Sequence, residues 1–136
     1  MRVAVIYAGA AKGNALVPFA KSVVSGIESM GHRVDLIDAR ADDGLRLPGY
    51  EYLVVVSEPV SFISGKIPDV VPAYLAKASS LVGKKGAAFL RSSGLFSGKA
   101  MGTLMRAMEK EGMWVNWSEV APNPSQAEAA AKRIGS

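Results

Sequence analysis

The chain alternates between two kinds of apolar pattern. "RVAVIYA" (Arg2–Ala8) is a short β-branched run without polar interruption, the pattern of a strand covered on both faces of a parallel sheet. From Asn14 onward, Leu16, Phe19, Val23, Val24 and Ile27 recur at spacings of three and four, which predicts an amphipathic helix ended by Gly31. With Asn14 as its N-cap, Pro18 falls in the first turn, where its missing N–H breaks no intrahelical bond.

The alternation continues. "HRVDLID" (32–38) reads as a second, more alternating strand and "EYLVVVS" (51–57) as a third that is fully buried. Residues 39–51 between them leave room for a turn or two of helix, because a parallel crossover needs about a dozen residues. "IPDVVPAYLAKASSLVG" (67–83) predicts the next helix, "KGAAFLRSS" the fourth strand, "KAMGTLMRAMEKEGM" a helix, "WVNWSEVA" a fifth strand and "SQAEAAAKRIG" a closing helix. Strands alternating with helices from end to end specify an α/β fold whose parallel sheet is covered on both faces. No internal repeat or linker divides it, so residues 1–136 are expected to form one domain.

Composition narrows the chemistry. The absence of cysteine and a single histidine, His32, argue against disulfides, thiolate chemistry, a His-based metal site and a catalytic triad. Met1 is followed directly by Arg2 and a strand-like run, and no apolar stretch approaches the ~18 residues of a membrane span. The expectation is a cytoplasmic protein with no signal peptide and no membrane partner. The net charge of +4 favours anions, but the basic residues are scattered and no basic aromatic motif points to nucleic acid. An anionic small molecule suits this charge better. Association with a second copy stays open.

In an open α/β sheet, ligands bind beyond the carboxyl ends of the strands, where strand order reverses. That directs attention to the loops 8–15, 57–66 and 91–99. The first, "AGAAKGNA", brings two glycines and small side chains to a helix N-terminus, with Lys12 adding a charge; it is either a phosphate cradle or a tight corner. The second offers Phe62 and Ile63 beside Ser61 and Ser64, with Lys66 close behind, and Phe62 either covers a planar ring or packs against its own loop. The third repeats the composition with Ser92, Ser93, Ser97, Gly94, Gly98 and Phe96. Other features have plainer readings. Met101, Met105 and Met108 fit a packed helix face, Asp42 and Asp43 a solvated turn, and His32 a solvated residue or partner of a helix C-terminus.

Three segments, "VIYAGAAKGNALVPFA", "SEPVSFISGKIPDVVPAYL" and "GKKGAAFLRSSG" with "LMRAMEKEGM", together resemble the flavodoxin-like flavoproteins over nearly the whole chain. The resemblance implies a three-layer α/β/α fold with a five-stranded parallel sheet in the order 2-1-3-4-5, and FMN at its carboxyl edge between the first and third strands. It implies that Gly9, Ala10, Ala11, Lys12, Gly13, Asn14 and Ala15 hold the phosphate, that Pro59, Val60, Ser61 and Phe62 flank the flavin ring, and that Ser92, Ser93, Gly94 and Phe96 complete the site. It implies no catalytic side chain and no metal.

This chain departs from the family's pattern in three respects. Residues 8–15 contain no threonine or serine where the family's loop is rich in both, and Ser57 and Glu58 stand where "GS" or "GT" is usual. Electron-carrier flavodoxins are typically acidic, whereas this chain carries +4. The expected function is therefore an FMN-binding redox protein, either an NAD(P)H-linked reductase or an electron-transfer protein of unspecified partner. The rival expectation is a non-catalytic domain of the same fold that has lost FMN and serves as a binding or regulatory module, and a site for another phosphorylated or nucleotide ligand is the third.

Overall fold

A computed structural model describes residues 1–10, 15–61, 63–94 and 97–134. Its elements are β1 (Arg2–Ala8), α1 (Val17–Glu28), β2 (Arg33–Asp38), a single 3-10 turn (Leu47–Gly49), β3 (Tyr52–Ser57), α2 (Val70–Lys77), β4 (Lys85–Arg91), α3 (Ser97–Lys110), β5 (Trp114–Ala121) and α4 (Pro124–Ala131). All five strands are parallel, in the order β2-β1-β3-β4-β5.

The apolar pattern explains the order. β1 and β3 lie inside the sheet, and every residue of β3 is buried, as its unbroken run requires. β2 is an edge strand and keeps its alternation of exposed and partly buried positions. Side chains of period two divide the core. Ala4, Ile6, Leu53, Val55, Ala88 and Leu90 point towards α2 and α3, meeting Leu75, Leu104 and Met108. Val3, Val5, Val54, Val56 and Phe89 point the other way, towards Phe19, Val23 and Ile27 of α1. Met101 and Met108 are buried and Met105 packs beside them, the helix face expected of that spacing.

Three local expectations change. α1 begins at Val17 with Leu16 as its N-cap, although Pro18 does sit in the first turn; the expected cap, Asn14, lies outside the described residues. The helix expected over 67–83 is shorter, because Ala78 turns extended and Ser80 takes a left-handed φ of +62°. Ala78 and Leu81 are buried nonetheless, so loop residues satisfy the apolar spacing that suggested more helix. Asp42 is not a solvated turn residue: its carboxylate accepts the Tyr74 hydroxyl at 2.6 Å and the Gly44 N–H at 2.9 Å. Among the described residues, no helix is long and apolar enough to cross a membrane.

Candidate functional site at the carboxyl edge

β1, β3 and β4 end side by side at Ala8, Ser57 and Arg91, so the three loops singled out from the sequence leave the same edge of the sheet. Ser57 is fully buried and donates its hydroxyl to the Ala8 carbonyl at 2.8 Å, fastening the end of β3 to that of β1. A serine here satisfies a carbonyl that has just left the ladder.

The next residue joins all three strands. Glu58 is 9% exposed, and its Oε2 accepts the Ala10 N–H at 2.8 Å. Its Oε1 accepts from Arg91 Nε at 3.1 Å and from Arg91 Nη2 as well, a two-pronged ion pair at the end of β4. On the other side of the first loop, Arg40 Nη2 donates to the Gly9 carbonyl at 2.7 Å. Gly9 is thus held by Arg40, and Ala10 by a carboxylate that Arg91 holds in turn.

An open cleft of about 510 Å³ lies beside this network, lined by Glu58, Pro59, Val60, Ser61, Arg91, Ser92, Ser93, Gly94 and Pro122. Of the residues expected at the site, Pro59, Val60, Ser61, Ser92, Ser93 and Gly94 meet here. The Val60 N–H donates to the Lys66 carbonyl at 2.9 Å and closes the loop after β3 on itself, which leaves Val60 half exposed at the rim. In the loop after β4, the Ser92 and Ser97 hydroxyls lie 2.7 Å apart and Ser97 donates to the Gly94 carbonyl, so this loop is shaped by its own serines. Ser93 and Gly94 are exposed.

The expected phosphate loop is described only at its ends. Gly9 and Ala10 make the contacts above, and Ala15 is exposed in the turn before α1, away from the cleft lining. Ala11, Lys12, Gly13, Asn14, Phe62 and Phe96 lie outside the described residues. Sequence reasoning did not single out Arg91 or Arg40. Arg91 had a signal, a charged residue at the carboxyl end of a buried strand, whereas nothing in "IDARADD" marks Arg40 as a partner of Gly9. Nearby on β1, burial and, secondarily, the Asp38 charge push the Tyr7 hydroxyl above its ordinary pKa, so Tyr7 stays neutral. Among the described residues, no cluster of carboxylate, histidine or cysteine ligands could hold a metal ion.

No protein-family model matches the chain, and no curated protein matches it in sequence. Solved structures do match. A flavodoxin from the domain Archaea superposes with a TM-score of 0.74 at 20% identity, covering 98% of this chain and 96% of its own. Oxidised Flavodoxin 1 from Bacillus cereus gives 0.70 at 18% identity, with 97% and 93% covered. The two-electron reduced flavodoxin of Megasphaera elsdenii gives 0.71 at 18%, with 96% and 98% covered. The likeness extends over nearly the full length of both partners, and at these identities it shows a flavodoxin-like fold.

Proposed function

We propose that this chain is an FMN-binding, flavodoxin-like redox protein. The observation that carries the reading is the convergence of the loops after β1, β3 and β4 on one carboxyl edge, with an open cleft between the latter two. The residues present suit a flavin in kind. Ser61, Ser92 and Ser93 bring hydroxyls to the cleft or its rim, Pro59 and Val60 bring apolar surface for a ring face, and the backbone amides of the first loop are the donors the reading assigns to the phosphate. Bound FMN would supply one- or two-electron transfer, and the chain's part would be to bind it, orient it and exclude water.

Within this reading, the net charge of +4 supports a reductase drawing on NAD(P)H, or an electron carrier whose partner is acidic, over docking through an acidic face of its own. The phosphate loop has no hydroxyl side chain between 8 and 15, and each well-formed hydrogen bond to a charged group is worth about 1.5–3 kcal/mol, so the affinity should be modest.

One observation favours the second reading, a non-catalytic module that has lost FMN. The Ala10 N–H and the Arg91 guanidinium are both engaged by Glu58. The visible absorption spectrum of the purified protein, followed by titration of the apo form with FMN and with riboflavin, separates the two readings. Quenching of flavin fluorescence that saturates at micromolar protein supports the first. No change with either flavin at high micromolar protein hands the site to the second.

A further inference from the structure

The carboxyl edge of the sheet already holds an anion, and that anion belongs to the chain. The Glu58 carboxylate accepts the Ala10 N–H through one oxygen and the Nε and Nη2 edge of Arg91 through the other. An amide N–H and the side-on fork of a guanidinium are the groups that would otherwise receive a phosphate or carboxylate at this position.

We propose that Glu58 is a built-in occupant of these anion-accepting groups. It makes the cleft beside Ala10 and Arg91 selective for an uncharged part of a ligand, and a phosphate is accepted there only when the carboxylate is removed. The proposal deepens the flavin reading and rests on it only for the identity of the ligand.

Three features of the site support this. A backbone N–H has one hydrogen to give, and at 2.8 Å Oε2 takes it, which leaves a second acceptor without a donor at Ala10. The Glu58 side chain is 11% exposed, so water screens its charge weakly and a second anion placed against it is repelled. Finally, Glu58 and Arg91 cancel, so the cleft wall they form carries no net charge although the chain as a whole is at +4. A glutamate that served only to fasten three strand ends would not alter which ligands bind. A glutamate that occupies the anion-accepting groups does alter it.

Amide NMR of the folded protein during titration with inorganic phosphate tests this. In the wild type, the Ala10 N–H and Arg91 Nε–H signals are expected to stay in place. In Glu58→Gln both are expected to move and saturate with phosphate, and the ratio of FMN to riboflavin affinity is expected to rise at least tenfold over the wild type. Glu58→Ser, which empties the position, should behave in the same direction and serves if the glutamine variant does not fold. Movement of both signals in the wild type, to the same extent as in the variants, overturns the proposal. So does a folded variant in which phosphate moves neither signal. If neither variant folds, the wild-type titration decides alone, silent signals supporting the proposal and shifted ones overturning it. The phosphate arm contains no flavin, so a protein that binds no FMN in any form removes the flavin reading and leaves this test intact.

Discussion

Tyr74 of α2 donates its hydroxyl to the Asp42 carboxylate at 2.6 Å, bridging 32 residues of chain and clamping the β2–β3 crossover to the helix that follows β3. The crossover contains a single 3-10 turn, too little regular structure to hold its own place. Lys77 adds a bond from Nζ to the Asp42 carbonyl at 3.3 Å. Because the acceptor is charged and partly buried, Tyr74→Phe should lower stability by about 1.5–3 kcal/mol, read as a shift in the denaturant midpoint at constant slope. A change below the error of that measurement would mean that water replaces the phenol freely.

The same pair makes stability depend on pH. The Tyr74 hydroxyl first, then the Gly44 N–H and Arg46, hold the Asp42 carboxyl below its ordinary value despite some burial. A carboxyl whose pKa is lower folded than unfolded contributes stability that is present above the unfolded value of about 3.9 and is lost as pH falls through the folded one. Asp42→Asn should therefore flatten the acid limb of the stability profile below about pH 4. Tyr74 behaves in the opposite sense. Burial and the Asp42 bond raise its pKa, so its contribution is complete below about pH 10 and declines above it. Tyr74→Phe should flatten that alkaline limb.

How much the sequence reveals depends on whether a residue's role is local. "VAVIY" and "YLVVVS" are central because a strand covered on both faces has no reason to place polar residues inside, and that constraint can be read from a few neighbouring letters. The edge where the loops meet follows from strand order alone. Glu58 is different. Its partners lie 48 residues before it and 33 after it, and a glutamate that turns inward to meet them has the same sequence signature as one that faces solvent. Asp42 escapes the sequence for a similar reason, since an Asp-Asp-Gly turn is ordinarily solvated and Tyr74, far along the chain, is what draws it in. The apolar spacing overstates α2 because burial of Ala78 and Leu81 mimics a helical period that the backbone leaves at Ala78.

Gly26 in the last turn of α1 makes a test of how closely α1 and α4 approach. A Cβ there would lie 2.4 Å from the Glu128 carbonyl oxygen and 2.8 Å from the Ala131 Cβ. Helix propensity favours alanine over glycine by about 1 kcal/mol, but the obstacle is backbone of the facing helix and cannot swing aside. The collision should win. Gly26→Ala is expected to destabilise by about 1–3 kcal/mol net, with faster amide exchange concentrated in α4. A stabilised variant would show that α4 shifts at little cost.

The two halves of the Glu58–Arg91 pair should not be equivalent. Removing the cation in Arg91→Met leaves a carboxylate that is 11% exposed, with the Ala10 N–H as its remaining partner among the described residues. Removing the anionic charge in Glu58→Gln leaves an arginine that is 35% exposed, which water can reach. Breaking a fully buried pair typically costs about 3–5 kcal/mol, and the exposure of Arg91 reduces this, so Arg91→Met should destabilise by about 1–3 kcal/mol. Glu58→Gln should cost about 0.5–1.5 kcal/mol, the range of a neutral hydrogen bond. The double variant carries no stranded charge and should be more stable than Arg91→Met alone, giving a coupling energy above the ~0.5 kcal/mol expected of independent sites. Equal single losses with no coupling would place the pair among ordinary surface ion pairs, and Glu58 would then be held at the sheet edge by Ala10 rather than by Arg91.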